Sequence, residues 1–215
     1  MQEKIKEILD TLVLRYPALE AVKGEIRKAY EILETCYAGG GKLLIAGNGG
    51  SAADSEHIVG ELMKGFVKRR PVGEEMAKAL SEADHVRGAE LSEKLQGGLM
   101  AIALSGHAAL SSAFANDVDG TLSYAQQVNG YGRPGDVFLG ISTSGNAENV
   151  MYAAVTARAK GMKVLCLSGK DGGKLAAFAD TAIVVPGTET YKIQELHLPV
   201  YHALCLMLEE RFFVS

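Results

Sequence analysis

Residues 42–61 read KLLIAGNGGSAADSEHIVGE. Four apolar residues, Leu43 to Ala46, run directly into Gly47-Asn48-Gly49-Gly50-Ser51, and a segment of helical character carrying His57 and Glu61 follows. A buried strand, a glycine-rich turn and a helix N-terminus in direct succession make an anion site. Backbone N–H groups of the turn and the positive end of the helix face the same point. Asn48 tolerates a left-handed backbone, and Gly49 and Gly50 let a ligand come close to the chain. Ser51 adds a hydroxyl where the helix begins. His57 and Glu61 are four apart and share a helix face. The stretch therefore offers a phosphate cradle and, further along, a pair suited either to acid/base work or to metal ligation. On its own it also describes a tight turn followed by a solvated His/Glu face.

Upstream, Ile5, Ile8, Leu9 and Leu12 form an apolar stripe interrupted near Pro17. Leu19, Val22, Ile26, Ala29, Leu33 and Tyr37 continue it at spacings of three and four. Two helical segments over 3–38 follow from this, ended by Gly39-Gly40-Gly41. Their apolar face has to cover either the chain's own sheet or a second subunit. Downstream, residues 66–98 turn charged and poor in branched apolar residues, with Pro71 and Gly73 marking a turn. Short amphipathic helices are expected near 74–81 and 89–95, with the charges on a solvated face and His85 at the surface.

Strands are expected over 99–104, 137–141, 164–167 and 182–185, in addition to the first. Helices are expected over 108–115 (closed by Asn116-Asp117), 122–129, 149–160, 174–179 and 190–213. Five strands alternating with helices indicate a three-layer αβα sandwich around a parallel sheet. Ligands of such sheets sit beyond the carboxyl ends of the strands. Those are the ends where GNGGS (47–51), LSG (104–106), STSGN (142–146) and LSGKDGG (167–173) fall. The expected organisation is one domain over 1–215, with a helical extension at 1–38 and a charged helical insertion at 66–98.

Bulk properties narrow the function classes. At 215 residues the chain is large enough for a substantial core, and 47% apolar with 22% charged residues is the balance of a globular protein. A formal net charge of −4 gives no basis for nucleic-acid binding. Cys36, Cys166 and Cys205 are scattered, with no metal spacing, and read as thiols of a reducing compartment. The first ten residues, MQEKIKEILD, lack the apolar core of a signal peptide, and no run reaches the length of a membrane span. The expectation is a cytoplasmic protein with no membrane partner.

Two further segments carry chemistry. Ser142-Thr143-Ser144-Gly145-Asn146 places three hydroxyls and a glycine between a strand and a helix, a second phosphate loop or an N-cap turn. Two such loops, with neither a Walker lysine nor a GxGxxG fingerprint, point to a phosphate monoester and to no nucleotide cofactor. The last helix contains IQELHLPVYH at 193–202, with Gln194, Glu195, His197 and His202 in otherwise apolar company. Gln194 and His202 lie roughly 80° apart around a helix and ~12 Å along it. They could share one ion only through a bent helix start or a contribution from two subunits.

GNGGSAADSEH, ISTSGNAENV, SGKDGG and IQELH, in this order, resemble the sugar isomerase (SIS) domain and, more narrowly, the sedoheptulose 7-phosphate (phosphoheptose) isomerases. The likeness runs from Ala38 to Glu210. It implies the SIS fold, a phosphorylated sugar as ligand, and a homotetramer with sites at subunit interfaces. By position it implies a Zn2+ ion held by His57, Glu61, Gln194 and His202, with Glu61 and His202 as the acid/base pair. Asn48, Gly49, Gly50, Ser51, Ser142, Thr143 and Ser144 would hold phosphate, and Asn116, Asp117 and Gln194 would face the substrate. Three departures bear on the identity of the sugar: Ala147 stands where the family usually has serine, Tyr191 where it often has an acidic residue, and the 66–98 segment is long.

The residue types agree with that chemistry. Interconverting a ketose and an aldose takes a proton from the carbon beside a carbonyl and returns it to the neighbouring carbon. A carboxylate serves as base while an imidazole protonates or polarises the oxygen, and a divalent ion can stabilise the enediolate. The alternative is a non-catalytic SIS protein, either a sugar-phosphate-binding regulator or an associate of the bacterial replication initiator. In such relatives the His/Glu and Gln/His set is incomplete, so its retention here favours the enzyme.

Overall fold

The computed structural model describes residues 2–213. The strands β1 (Leu43–Gly47), β2 (Ala101–Ala103), β3 (Val137–Ser142), β4 (Lys163–Ser168) and β5 (Thr181–Val184) form one parallel sheet in the order β2-β1-β3-β4-β5. Every residue of β1 and β3 is buried, as expected for central strands covered on both faces. Side chains alternate between two cores. Leu43, Ile45, Val137, Leu139, Ile141, Leu165 and Leu167 face one. Leu44, Ala46, Phe138, Val164 and Cys166 face the other.

The first core is roofed by α1 (Glu3–Arg15), a 3-10 turn (Pro17–Val22), α2 (Lys23–Ala38), α3 (Gly50–Met63) and the last helix, Thr190–Phe212. Ile5, Leu9 and Leu12 of α1 are buried in this same core, so much of the N-terminal apolar face is covered within the subunit. On the opposite side lie helices Ser123–Tyr131, Glu148–Ala159 and Gly173–Phe178. Among the described residues no helix is long and apolar enough to cross a membrane.

Three boundaries differ from the sequence expectation for an evident physical reason, beyond shifts of one or two residues elsewhere. In the charged segment, α4 (Glu74–Ala83) is followed by α5 (His85–Lys94), which starts four residues before the expected 89. Asp84 is the reason: its carboxylate accepts from the N–H groups of Val86 and Arg87 and caps the helix. His85 is exposed, as expected. The strand expected over 99–104 shrinks to Ala101–Ala103. It is an edge strand paired only with β1, and Leu104 already enters a 3-10 turn. Finally, α6 (Ala108–Phe114) does not close at Asn116-Asp117 but widens into a π turn over Ala115–Asp119. In order, the remaining helices are α7 (Ser123–Tyr131), α8 (Glu148–Ala159), α9 (Gly173–Phe178) and α10 (Thr190–Phe212).

The segment after α3 is pinned to α10 by a buried ion pair. Arg70 Nε donates to Glu209 Oε1 at 2.8 Å, and both side chains are at most 1% exposed. Glu209 also accepts from the backbone N–H groups of Phe66, Val67 and Lys68. Arg70 in turn donates to the carbonyls of Leu62 and Glu61, the last turn of α3.

His197 of α10 is fully buried, and neither ring nitrogen has a hydrogen-bond partner among the described residues. Burial pushes its pKa down to about 4, opposed only in part by the nearby Ser168 backbone. The unfolded chain therefore takes up a proton that the folded chain refuses. Stability is complete above pH 6.5 and falls as the pH drops towards about 4. The loss amounts to roughly 3 kcal/mol. In urea titrations between pH 7 and 4.5, His197→Leu is expected to flatten this decline; an unchanged slope overturns the assignment.

Candidate active site

A strand order of 2-1-3-4-5 reverses direction between β1 and β3, and the crevice at such a switch point is where α/β sheets bind ligands. The two hydroxyl- and glycine-rich loops flank that crevice. Gly47 pairs with Ile141, and Ser142 with Ser168, so the strand ends lie in step and their loops lie side by side. The first loop passes through Gly49 at φ +55° into the N-terminus of α3. Asn48 and Asn149 of α8 exchange two amide hydrogen bonds of 2.9 Å, tying this loop to the helix that follows the second. The Tyr124 hydroxyl donates to the Gly47 carbonyl at 2.7 Å.

The second loop is braced against the third. Gly169 N–H donates to the Thr143 carbonyl, Leu175 N–H to the Gly145 carbonyl, and Lys174 N–H to Asn146 Oδ1. Gly145 has φ +64°, and a Cβ there would lie 1.7 Å from the Gly172 carbonyl oxygen. Backbone meets backbone at that point and no rotamer can relieve the clash. Gly145→Ala is expected to weaken phosphate-ester binding at least tenfold in calorimetric titration. Gly40→Ala also has a positive φ (+74°) but open space around it, so it serves as a control that costs about 1–2 kcal/mol of stability only. Equal ester affinity in both variants overturns the role given to the second loop.

A polar cluster forms where α3 and α10 meet. His57 Nε2 is 3.3 Å from Glu61 Oε1 and 3.4 Å from His202 Nε2. Lys64 Nζ sits 3.1 Å from the other Glu61 oxygen. Phe66 packs its ring 5.4 Å from that of His202, so the start of the charged segment does border the cluster. Burial lowers the His202 pKa, with His57 adding to the effect and Glu61 opposing it. Behind His57, the Tyr201 hydroxyl lies 3.0 Å from its Nδ1 and 3.2 Å from Asp54 Oδ1. Burial and the neighbouring Asp54 carboxylate raise the Tyr201 pKa well above its ordinary value, so the hydroxyl stays protonated. His202 also lines a groove of about 460 Å3 between α1 and α10.

The sequence candidates thus divide into two groups within the subunit. Gln194 lies against the first loop, its Nε2 2.4 Å from where a Gly50 Cβ would be, and it has no hydrogen bond to His57, Glu61 or His202. Glu61 is eleven residues along α3 from Gly50, a rise of roughly 16 Å. Asn116 and Asp117 are exposed on the π turn, with their side chains bonded to each other. Asp54, Tyr201, Tyr124 and Asn149 were not sequence candidates. Only the spacing of Asp54 and His57, three apart on one helix face, could have drawn attention to any of them.

The donor set can be tested against zinc. Tetrahedral zinc with nitrogen and oxygen ligands at 2.0–2.1 Å separates its donors by about 3.3 Å, which matches the two contacts of His57 Nε2. The fourth expected ligand, Gln194, is not among them. Among the described residues no group of three or more His, Cys, Asp or Glu side chains is arranged as a finished metal cage. Donor chemistry and two spacings fit, while closure within one subunit does not.

A family model for the SIS domain matches residues 9–105 and 95–169. The chain is 37% identical over 203 residues to a phosphoheptose isomerase of Aromatoleum aromaticum, covering 93% of this chain and 89% of the other. It is 40% identical over 171 residues to a phosphoheptose isomerase of Nitratiruptor, covering 80% and 78%. Among solved structures, a phosphoheptose isomerase from Francisella tularensis superposes with a TM-score of 0.75 at 28% identity, covering 98% of this chain and 100% of that one. The phosphoheptose isomerase of Neisseria gonorrhoeae gives 0.73 at 30% identity, covering 97% and 98%.

Proposed function

Because the chain belongs to the SIS-domain family of phosphoheptose isomerases, we propose that it interconverts sedoheptulose 7-phosphate and D-glycero-D-manno-heptose 7-phosphate, with Glu61 and His202 moving the proton. It is an aldose–ketose isomerase. The observation that carries the assignment of residues is the position of His57, whose Nε2 touches both Glu61 and His202. Glu61 takes the proton from the carbon beside the carbonyl, and His202, kept largely neutral by burial, exchanges a proton with the sugar oxygen. At the other end of the sugar, the N-terminus of α3, Ser51 and the hydroxyls of Ser142, Thr143 and Ser144 hold the phosphate.

Distance supports assembly of the site from two subunits. About eight bonds separate the reacting carbons from phosphorus, roughly 10 Å when extended. That falls short of the roughly 16 Å between Gly50 and Glu61 along α3. One subunit therefore supplies the phosphate loops with Gln194, and a second supplies Glu61, His57 and His202, in a homotetramer. The groove between α1 and α10 beside His202 is the surface for that contact. The same pairing would bring Gln194 to His57, Glu61 and His202 as a zinc set. When bound, zinc would act as a Lewis acid on the enediolate oxygens. The chain works as one SIS unit, in the cytoplasm, with the 66–98 segment as an insertion.

Incubation with ketose phosphates in deuterated water tests the reading. Solvent deuterium is expected at the carbon beside the carbonyl of sedoheptulose 7-phosphate. No exchange with any ketose phosphate overturns the enzyme and leaves the non-catalytic regulator.

A further inference from the structure

We infer that Asp54 and Tyr201 form a positioning relay that fixes the tautomer of His57 and presents its Nε2 as a lone pair to the Glu61–His202 cluster. The inference rests on the proposed site and adds two residues to it. Asp54 and His57 are three apart on one face of α3, and Tyr201 enters from α10 between them. Its hydroxyl is 3.2 Å from Asp54 Oδ1 and 3.0 Å from His57 Nδ1. Tyr201 is 1% exposed, so bulk water does not compete for these bonds.

A tyrosine hydroxyl has one proton to give and lone pairs with which to accept. A carboxylate only accepts. With Asp54 accepting the hydroxyl hydrogen, the tyrosine oxygen is left to accept, and the donor that faces it among the described residues is His57 Nδ1–H. The ring proton is therefore held on Nδ1, and Nε2 carries the lone pair. That lone pair points at Glu61 Oε1 at 3.3 Å and His202 Nε2 at 3.4 Å. A lone pair beside a carboxylate oxygen is repulsive unless a proton or a cation lies between them. The relay thus prepares the cluster to receive a positive charge, in the way that ring N–H bonds to outer groups orient metal-binding histidines. The other Asp54 oxygen is buried without a hydrogen-bond partner among the described residues, so the tyrosine bond is the carboxylate's one polar tie among them.

The test uses full-length protein labelled with 15N-histidine and freed of metal. The chain has five histidines, and a His57→Ala spectrum assigns the resonances of His57. In the parent, His57 is expected as the Nδ1–H tautomer. In Tyr201→Phe it is expected to shift towards the Nε2–H form that free imidazole side chains favour in water. Zinc affinity, read by competition with a chromophoric chelator, is expected to fall about 10–100-fold. Should Tyr201→Phe fail to fold by circular dichroism, Asp54→Ala is measured in the same way. An unchanged tautomer, or zinc affinity within threefold of the parent, in the folded variant overturns the relay. The tautomer readout needs neither metal nor turnover. A parent that shows Nδ1–H yet exchanges no deuterium with any ketose phosphate would sink the isomerase reading and leave the relay standing.

Discussion

Glu61→Gln is expected to turn over sedoheptulose 7-phosphate about 10²–10⁴-fold more slowly than the parent while binding the phosphate ester with unchanged affinity. The amide matches the carboxylate in shape and can still face His57 and Lys64, which now contact its two oxygens at 3.3 and 3.1 Å. What it lacks is the capacity to take a proton from carbon. The loops proposed to hold the phosphate lie roughly 16 Å away along α3 in the same subunit, and at the opposite end of the sugar in the proposed pair, so they are left untouched. Turnover and solvent-deuterium incorporation should fall together, and calorimetric ester affinity should hold. Glu61 is also a proposed zinc ligand, so metal content must be followed in parallel. If saturating zinc restores turnover to within tenfold of the parent, Glu61 serves only as a ligand and the base is another group.

Arg70→Met is expected to cost about 3–5 kcal/mol of stability, the range for removing one partner of a buried ion pair. In a chain of this size that lowers the melting temperature by roughly 6–20 °C. The penalty comes from what remains. Glu209 is 1% exposed and would keep a carboxylate facing a cation that is gone. Burial alone raises the pKa of this carboxyl; the Phe66 and Val67 N–H groups and Arg70 together overcome that and hold it below the usual range. A simple buried pair can often be replaced by two apolar side chains without loss. Here Arg70→Met with Glu209→Leu should stay destabilised, because three backbone N–H groups, of Phe66, Val67 and Lys68, lose their acceptor. Urea melts of the two single variants and the double variant measure this. A double variant as stable as the parent would show that the loop finds other partners. The loss should reach catalysis as well, since Arg70 also holds the Glu61 and Leu62 carbonyls.

The sheet was legible because its central strands are short apolar runs ended by glycine and hydroxyl residues, too short for helices and patterned as buried parallel strands are. LLIAG and VFLGIS fall where runs of that kind must fall. The edge strand was overestimated: Leu99 and Leu104 are apolar for core contacts, and pairing on one side sustains only Ala101–Ala103. The early start of α5 was readable in Asp84, a capping residue hidden inside a charged run. Spacing pointed to the two hydroxyl- and glycine-rich loops and to the His57–Glu61 pair, and the family resemblance added His202, which does lie beside His57. Neither could show that α3 and α10 place Gln194 beside Gly50 and His202 beside His57, which splits the expected ligand set within the subunit. Tyr201 and Asp54 escaped for a related reason. An aromatic in an apolar helix and a carboxylate near a helix start have ordinary roles, and only the packing of one helix on the other turns them towards His57.

The bracing among the strand-end turns has a consequence for how such a protein changes its diet. The Thr143 and Gly145 carbonyls and the Asn146 side-chain oxygen accept from backbone N–H groups of the neighbouring segment, and Asn48 is locked to Asn149. If these turns hold the phosphate as proposed, that seat is built before any ligand arrives and needs no ordering when one does. On the proposed assignment, recognition of the rest of the sugar falls to Glu61 and His202, far from the α3 N-terminus, and to the exposed π turn, none of which help to hold that seat together. Substitutions there would then retune which carbohydrate is accepted while the grip on its phosphate stays constant.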